Sequence, residues 1–331
     1  MPNLALIDLL ASETNYYVGT NGMEKQLTEN YVREGRIAEY CEIYAEKMQR
    51  KVTIKNLALP FFLAKSIRQA KNHLKRIRPD VVFSKGGYVG LPVVIAAKML
   101  KIPTIIHESD MTLGLANRIC IHFASEFLST YPCHKKAKTV GAIIRESIFE
   151  GDKHKGLQTM QFDGKKPILL VMGGSLGAKA INQAIKKSQA LSNKFDIFVI
   201  SGKGKTFDCS FVHQAEFVDN ISDVLAATSV CVTRGGSNSL AELTLAQVPF
   251  LTVPLTKCSR GEQVKNANWF AKHGCGICVD EDNLQNTLQS AVDALYENRQ
   301  SFIRKQQHQA DLFGTKKVLE IILSYKNTKT K

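Results

Sequence analysis

The sequence predicts an α/β protein with two domains, each built on a parallel sheet covered by helices. The 331 residues are enough for two separate hydrophobic cores. Short apolar runs typical of buried strands alternate with helical segments, and this alternation is typical of parallel sheets joined by right-handed crossovers. Three predicted strands end in glycine turns, at Gly86-Gly87, Gly173-Gly174 and Gly235-Gly236. Such turns beyond the carboxyl ends of strands indicate ligand sites.

The first half of the chain begins with a predicted helix over residues 2–11, in which Pro2 suits the first turn. Residues 27–44 show a mixed pattern that predicts no element. The remaining predicted elements are a strand over 16–19, a strand over 50–54, a helix over 60–77, a strand over 80–84, a helix over 91–100, a strand over 104–108, a helix over 114–123, and short strands at 126 and 138–141.

The second half repeats the alternation, and the boundary between the halves is expected within residues 141–151. We therefore predict domains over 1–144 and 145–310, with a C-terminal helical segment over 311–331 that packs back on the first domain. A last helix is predicted over 318–325. The strands of the second half are predicted over 168–172, 197–200, 216–218, 230–233 and 250–253.

The charge balance narrows the classes of partner. The net charge is +14, and residues 1–150 carry half of it. Positive charge favours anionic lipids, phosphate-bearing substrates or nucleic acid, but no nucleic-acid-binding motif is present, so no nucleic acid partner is predicted. No apolar run of about 18 residues predicts a membrane span, and no basic and apolar leader predicts secretion.

Eight cysteines are scattered through the chain, and only Cys275 and Cys278 lie close together. Neither a second cysteine pair nor a histidine cluster completes a zinc site with them. We therefore predict free thiols in a reducing cytosol and no bound metal.

The stretch from Arg234 to Glu242 is the most informative part of the chain. Glycines at a strand end let the backbone approach a ligand closely. The helix that follows points N–H groups and a positive dipole end at the same place, so a phosphate is the natural occupant. Glu242, further along that helix, is an acceptor suited to a sugar diol. The stretch predicts a nucleotide-sugar site, whereas no glycine turn matches the P-loop or the dinucleotide motif.

Two other polar segments allow both a structural and a functional interpretation. Residues 259–266 are either a solvated loop before a helix or a set of donors and acceptors for sugar hydroxyls. Residues 107–110 either cap the next helix or line a site at a strand end. Adjacent strand residues point to opposite faces, so His107 and Glu108 are not expected to act as one pair.

Five motifs lie between residues 83 and 263, and with the opening stretch they form a match over nearly the whole chain. They are Phe83-Ser84-Lys85-Gly86-Gly87-Tyr88-Val89, Pro103-Thr104-Ile105-Ile106-His107-Glu108-Ser109-Asp110, Gly114-Leu115-Ala116-Asn117, Gly173-Gly174-Ser175-Leu176-Gly177-Ala178 and Arg260-Gly261-Glu262-Gln263. Together they resemble MurG-type glycosyltransferases. The resemblance implies the GT-B fold, in which two Rossmann-like domains face each other across a cleft. It also implies inverting transfer of N-acetylglucosamine (GlcNAc) from UDP-GlcNAc to lipid I (undecaprenyl-pyrophosphoryl-MurNAc-pentapeptide). The product, lipid II, serves peptidoglycan synthesis, and so cell-wall biogenesis, cell shape and cell division.

The resemblance implies a hexosyltransferase site divided between the two domains. The first domain would bind lipid I, with its pyrophosphate on Gly86 and Gly87 and with Glu108 and Asn117 as catalytic candidates. Helix N-termini and Arg145 would stabilise the leaving diphosphate, so no metal or other cofactor would be required. The second domain would bind UDP-GlcNAc through Arg145, Ser175, Val218, Arg234, Gly236, Ser237, Glu242, Glu262 and Gln263.

Residues 57–78 combine an apolar stretch with a run of basic residues. One interpretation is membrane docking, in which Phe61 and Phe62 enter the interface while Lys71 and Lys75 meet anionic headgroups of the inner membrane. The other is an ordinary amphipathic core helix. The resemblance implies a peripheral position on the cytoplasmic face of the cell membrane, with cell-wall and division proteins as further partners.

The sequence departs from the family pattern at its beginning. The family starts with a buried strand and a glycine-rich loop that carries a histidine, the favoured catalytic base, whereas this sequence starts where that loop would end. We therefore expect a first domain without its first strand and a true start upstream. The rival interpretation is a shortened, catalytically weak chain that binds the donor or serves as a scaffold in a cell-wall complex. Another GT-B enzyme, such as a UDP-GlcNAc epimerase or a glycolipid transferase, is a further alternative.

Overall fold

The structure is a computed structural model, and it describes residues 2–46, 59–173, 179–256 and 261–326. The chain divides into two compact units. Unit 1 comprises Met1–Ile143 and Gly314–Lys331, and unit 2 comprises Ile144–Phe313. The described helices include none that is long and apolar enough to cross a membrane.

Unit 1 contains two parallel sheets with helices on both faces. In chain order its elements before residue 143 are α1 (Pro2–Leu9), β1 (Tyr16–Gly19), α2 (Met23–Arg33), β2 (Glu39–Glu42), α3 (Leu59–Ile77), β3 (Val82–Ser84), α4 (Gly87–Met99), β4 (Thr104–Glu108), α5 (Leu115–Cys120), β5 (Glu126–Ser129) and β6 (Lys138–Thr139). Strands β1 and β2 pair with each other, and a second sheet has the order β3-β4-β5-β6. Within the described part of unit 1, no strand pairs with both β1 and β3, so the two sheets are separate.

Unit 2 is built on one six-stranded parallel sheet. Its elements, followed by the last helix of unit 1, are α6 (Lys153–Met160), β7 (Ile168–Met172), α7 (Lys179–Lys186), α8 (Leu191–Lys194), β8 (Asp196–Ile200), β9 (Val212–Ala215), α9 (Ile221–Ala227), β10 (Val230–Thr233), α10 (Ser237–Leu245), β11 (Phe250–Thr252), α11 (Glu262–Lys272), β12 (Gly276–Cys278), α12 (Leu284–Glu297), α13 (Arg299–Gln307) and α14 (Thr315–Ser324). The strand order is β12-β11-β10-β7-β8-β9. Strands β7, β10 and β11 are aliphatic and buried, which is typical of parallel strands covered on both faces.

Most predicted elements are confirmed, with shorter ends at β6 and α5. The strand predicted over 216–218 is wrong, because the strand is β9 and Phe217 stands exposed in the loop after it. Strand β9 lies at the sheet edge and carries His213 and Gln214, so its apolar signal is weak. The strand predicted over 50–54 lies outside the described residues.

Three elements have no counterpart in the sequence prediction. Helix α2 buries only Thr28 among its residues, and β2 buries only Cys41, so neither shows a periodic apolar face. Strand β12 is short and begins at Gly276, where a side chain would collide with the Phe250 carbonyl of β11. The seven described cysteines are all free thiols, as predicted.

Candidate functional site

The sheet of unit 2 has a topological switch point between β7 and β10. These two strands are neighbours, with Met172 opposite Thr233, while β8 and β9 continue on one side and β11 and β12 on the other. Ligands of open parallel sheets bind beyond the carboxyl ends of the strands at this kind of point. Here β7 leads to Gly173 and β10 leads to Gly235-Gly236, so both glycine turns lie at the switch point.

The starts of two helices meet at the turn after β10. Gly236 precedes α10 in an extended conformation, and no side chain of the described residues caps that helix. A side chain at Gly235 would collide with the Gln263 carbonyl in the first turn of α11. Asn266 of α11 donates a hydrogen bond of 3.1 Å from Nδ2 to the Gly235 carbonyl. Two helix N-termini therefore lie side by side, which is a setting that favours a phosphate.

The first turn of α11 contributes two predicted donor-site residues. Gly261 precedes the helix with φ 80°, a left-handed conformation that glycine adopts without steric cost. Glu262 and Gln263 follow it directly. The Gln263 Oε1 accepts a hydrogen bond of 3.0 Å from the Leu255 N–H, which fixes the side chain against the loop after β11. Glu262, Gln263, Gly236 and Ser237 are thus brought together.

Glu242 stands further along α10 and is half-buried. Burial raises the pKa of its carboxyl above the ordinary value, and the charge of Arg145 acts in the opposite direction. Arg145 directly precedes the 3-10 helix Glu146–Phe149 and therefore lies close enough for its positive charge to interact with the Glu242 carboxylate. Ser237 and Glu242 are five residues apart on one helix, so they lie about 7 Å apart along its axis.

Of the remaining predicted donor residues, Arg234 already forms hydrogen bonds within the protein, and Val218 lies away from the switch point. Arg234 is buried; its Nη1 donates to the Val253 carbonyl at 3.1 Å and pairs with Glu281, so its guanidinium joins the end of β11 to the 3-10 helix Glu281–Asn283. Val218 follows the edge strand β9, two strands away from β7. Ser175 lies outside the described residues. Donor contacts by these three residues stay predictions.

The Gly86-Gly87 turn of unit 1 connects β3 to α4. Both glycines have positive φ, 81° and 80°. A side chain at Gly86 would collide with the carboxamide of Asn117, which lies buried beneath the turn. The Asn117 Oδ1 has no hydrogen-bond partner among the described residues. The structure thus brings Gly86 and Asn117 together, and their role at an acceptor site stays a prediction.

Glu108 is fully engaged by its own loop. Its Oε1 accepts from the N–H groups of Ser109 and Asp110 at 2.9 and 3.2 Å. Its Oε2 accepts from the Gly114 N–H at 3.0 Å and from the Asn117 Nδ2 at 2.9 Å. A carboxylate offers about four lone-pair directions. Glu108 could accept a substrate proton only by releasing one of these bonds, and the geometry favours a positioning role.

Lys85 is a residue that sequence reasoning missed. It lies between the end of β3 and the glycine pair, which is the signal that could have identified it. Its Nζ is 2.9 Å from the Nδ1 of His107 and contacts the Ser109 hydroxyl. Burial lowers the pKa of Lys85 to about 7, against the opposing charges of Glu108 and Asp110.

His107 completes this buried pair. Burial, with the nearby charge of Lys85, lowers the pKa of His107 well below its ordinary value, so the imidazole is neutral. Its Nε2 is 3.0 Å from the Gly141 carbonyl and donates to it, which leaves Nδ1 to accept from Lys85. His107 and Glu108 serve different partners, as their opposite directions on β4 predict.

Helix α3 carries the predicted membrane residues. Ser66, Ala70 and Leu74 form its buried face. Phe61 is 79% exposed, whereas Phe62 packs against the ring of Tyr44 at 5.4 Å between centroids. Lys75 is exposed and Lys71 is half-buried on the flank. At 100° per residue, the exposed residues that share one stripe are Phe61, Lys65, Arg68, Asn72 and Lys75.

One cluster in the described residues offers ligand atoms for a metal. Atoms of Glu39, Cys41 and His73 lie within 4.8 Å of one another. The Glu39 carboxylate also forms an ion pair of 2.6 Å with Arg76, and burial raises the pKa of the Cys41 thiol to about 11. Both features oppose metal binding, since the metal needs the thiolate and a free carboxylate.

Comparison with known proteins identifies the family. Residues 1–129 match the glycosyltransferase family 28 N-terminal domain, and residues 168–322 match the glycosyltransferase family 28 C-terminal domain. The UDP-N-acetylglucosamine--N-acetylmuramyl-(pentapeptide) pyrophosphoryl-undecaprenol N-acetylglucosamine transferase of Staphylococcus saprophyticus is 38% identical over 97% of this chain and 94% of its own length. The chain belongs to this transferase family.

One further relative agrees with this assignment, and one solved structure has the same fold. A transferase of the same name from Shouchella clausii is 41% identical over 91% of this chain and 89% of its own. The crystal structure of MurG from Acinetobacter baumannii has the same fold, with a TM-score of 0.73 at 23% identity, covering 98% of this chain and 95% of that one. The predicted MurG-type family and the α/β, GT-B fold class are therefore confirmed, and the protein is a glycosyltransferase.

Proposed function

We propose that this glycosyltransferase transfers GlcNAc from UDP-GlcNAc to lipid I and so forms lipid II for peptidoglycan synthesis. The observation that carries the proposal is the identity of 38% over nearly the full length of a relative whose name states this reaction. The paired starts of α10 and α11 at the switch point of unit 2 support the donor half of it.

In this proposal unit 2 binds the donor. The diphosphate lies against the N-termini of α10 and α11, beside Gly236 and Ser237. Glu242, about 7 Å further along α10, accepts hydrogen bonds from the ribose hydroxyls. Arg145 lies near the same carboxylate and adds positive charge for the leaving group. Glu262 and Gln263 then hold the sugar, and Ser175, Val218 and Arg234 complete the site.

Unit 1 binds the acceptor in this proposal. The pyrophosphate of lipid I meets the start of α4 at Gly86-Gly87, a helix of 13 residues whose first N–H groups face that turn. Glu108 and Asn117 hold the loop beneath the turn in place. The buried Lys85 lies against the same loop through Ser109.

The chemistry proposed is a single inverting displacement. A hydroxyl of the acceptor sugar loses its proton to a general base and attacks the anomeric carbon, the bond from that carbon to the diphosphate oxygen breaks, and UDP leaves. The helix N-termini and Arg145 offset the charge that develops on UDP, so we expect no requirement for a divalent metal. Peripheral binding to the cytoplasmic face of the membrane, through α3, brings the enzyme to its lipid substrate.

The test is whether UDP release depends on the acceptor. A continuous assay would follow UDP release by the whole chain with UDP-GlcNAc alone, with a lipid I analogue added, and with EDTA present. We expect release only when the analogue is present, and an unchanged rate in EDTA. Acceptor-independent release, or binding of the donor without turnover, would contradict the proposed transfer.

A further inference from the structure

Unit 1 has a surface pocket of about 480 Å³, lined by helix α5, the turn after it and the loop that follows β5. Helix α5 and its turn supply Arg118 and His122, and the loop supplies His134, Lys135 and Lys136. None of the described residues that line the pocket is acidic. The basic pocket, as we call it, is therefore suited to an anion.

The positive charge of the basic pocket is not balanced by the protein. Arg118, Lys135 and Lys136 are exposed, and among the described residues no carboxylate forms an ion pair with these three. In the same unit, Arg76 pairs with Glu39 at 2.6 Å. Like charges around one concavity repel each other, and a bound anion of more than one charge offsets that repulsion.

His134 is held in a fixed orientation at the pocket. Its ring packs against the ring of Phe127 of β5, with 6.0 Å between the centroids. Its Nδ1 accepts a hydrogen bond of 3.1 Å from the Lys136 N–H, and its carbonyl accepts one of 2.9 Å from the Ala137 N–H. A neutral imidazole that accepts at Nδ1 carries its proton on Nε2. His134 therefore supplies an N–H donor from an ordered turn.

The base of the basic pocket is apolar. Leu113 and Ile121 line it and are half-buried. Both pack against the buried cluster that contains Phe127, and Cys133 and Ala137 of the loop pack against the same cluster. The helix side and the loop side of the pocket are thus anchored on one apolar cluster. Apolar surface beside charged donors reduces competition from water and strengthens their hydrogen bonds to an anion.

We propose that the basic pocket binds a phosphate-bearing ligand with more than one negative charge, such as a diphosphate. A phosphate group offers more acceptor oxygens than a carboxylate does, so it can meet several of these donors at once. Arginine forks and lysine ammonium groups are the donors that proteins use for phosphate. The site is separate from the proposed transfer reaction, since Gly86 and Gly87 are not among its described lining residues and the proposed donor site lies in unit 2.

The first test locates the ligand by following histidine ring signals by NMR while pyrophosphate is added to the whole chain. The signals of His122 and His134 should shift and saturate, whereas those of His73 and His213, which do not line the pocket, should stay unchanged. The variants His122→Gln and His134→Gln assign the two signals. Unchanged signals at both residues, or shifts that never saturate, would overturn the proposal.

The second test removes the charges. The dissociation constant obtained from these shifts should rise at least about tenfold when three residues are replaced together by glutamine, namely Arg118, Lys135 and Lys136. The matched control loses the same charge from exposed residues of unit 1 outside the pocket and should change the constant less than about twofold. It replaces Lys98, Lys101 and Lys138 by glutamine. Because all six side chains are exposed, thermal unfolding of both variants should match wild type. Equal effects of the two triple changes on the dissociation constant would contradict a specific site.

The third test identifies the class and source of the ligand. At the same ionic strength malonate, a dianion with carboxylates only, should bind at least about tenfold more weakly than pyrophosphate, and equal binding would contradict a phosphate site. Vesicles that contain phosphatidic acid present the same group on a lipid. If the pocket variant loses vesicle binding relative to its control, the phosphate belongs to a headgroup. If it loses pyrophosphate binding alone, the ligand is dissolved.

Discussion

Among single residues, Glu242 links the fold to the proposed donor site most directly. Its carboxylate is half-buried on α10, beyond the paired helix starts. Gly235 is required for that pairing, since a side chain there would collide with the Gln263 backbone. In unit 1, Glu108 and Lys85 are instead engaged within the protein, Glu108 by N–H groups of the loop after β4 and by Asn117, and Lys85 by His107 and Ser109. In the proposed function Glu242 contacts the substrate directly, whereas Glu108 and Lys85 hold neighbouring groups in position.

Glu242→Gln should raise the KM for UDP-GlcNAc roughly tenfold, because hydrogen bonds to a charged acceptor are worth about 1.5–3 kcal/mol. Burial raises the pKa of Glu242, so wild-type donor affinity should fall as the pH drops through that raised pKa, and the variant should lack this fall. Steady-state kinetics across pH measures both effects. Glu150→Gln, an exposed change in the same unit, is the control and should match wild type.

Lys85→Met should alter how stability depends on pH. The pKa of Lys85 is about 7 in the folded protein, so the unfolded chain binds one more proton between that value and the ordinary lysine pKa. Wild-type stability should therefore rise with pH in this window, by roughly 1–2 kcal/mol from pH 7.5 to 9, and be lost as the pH falls. Urea unfolding at several pH values measures the slope.

The control for this experiment is Lys98→Met, an exposed change on α4. This variant should keep the wild-type slope, whereas Lys85→Met should flatten it. If Lys85→Met kept the wild-type slope of stability against pH, the buried amine would be charged in the folded protein. That result would contradict the lowered pKa of Lys85.

Among the elements, α3 has a buried face and an exposed basic face. Its buried face packs on α4 through Ala70 and Leu74. Its exposed stripe carries Phe61 with Lys65, Arg68 and Lys75. Arg76 is held by Glu39 at 2.6 Å and is less free to meet a headgroup. The buried face agrees with an amphipathic core helix, and membrane docking through the exposed stripe stays a prediction.

Replacing Lys65, Arg68 and Lys75 together by glutamine should weaken binding to vesicles that contain anionic lipid. Each basic residue near such a surface contributes about 1 kcal/mol, so the partition coefficient should fall roughly 100-fold. Sedimentation with vesicles measures it. A matched triple change at the exposed Lys186, Lys187 and Lys203 of unit 2 should have a much smaller effect. Equal losses would indicate attraction by net charge alone.

The elements also show what the sequence can and cannot predict. Strands such as β4 and β7 are predictable because they are buried on both faces and read as continuous apolar runs. Edge elements such as β2 and β9 are half-exposed and give no such signal. Glycine turns are local and are visible in sequence. The contact of Lys85 with His107 joins residues 22 positions apart, so only the packing of β3 on β4 places it.

At the scale of the whole molecule, the two units have different sheet architectures. Unit 2 has one continuous six-stranded sheet, and the predicted donor residues Gly236 and Ser237 lie at its switch point. Unit 1 has a two-stranded sheet and a four-stranded sheet. The net charge of +14 suits a protein whose proposed substrates and lipid surface are all anionic.

The central claim is that these two units together transfer GlcNAc to lipid I with inversion. The most direct measurement is analysis of the product made by the whole chain from UDP-GlcNAc and a lipid I analogue, by mass spectrometry and by NMR of the new glycosidic linkage. A single displacement on the α-linked donor predicts UDP and an acceptor that has gained one GlcNAc in β linkage. An α-linked product, or UDP release with no sugar on the acceptor, would contradict the account.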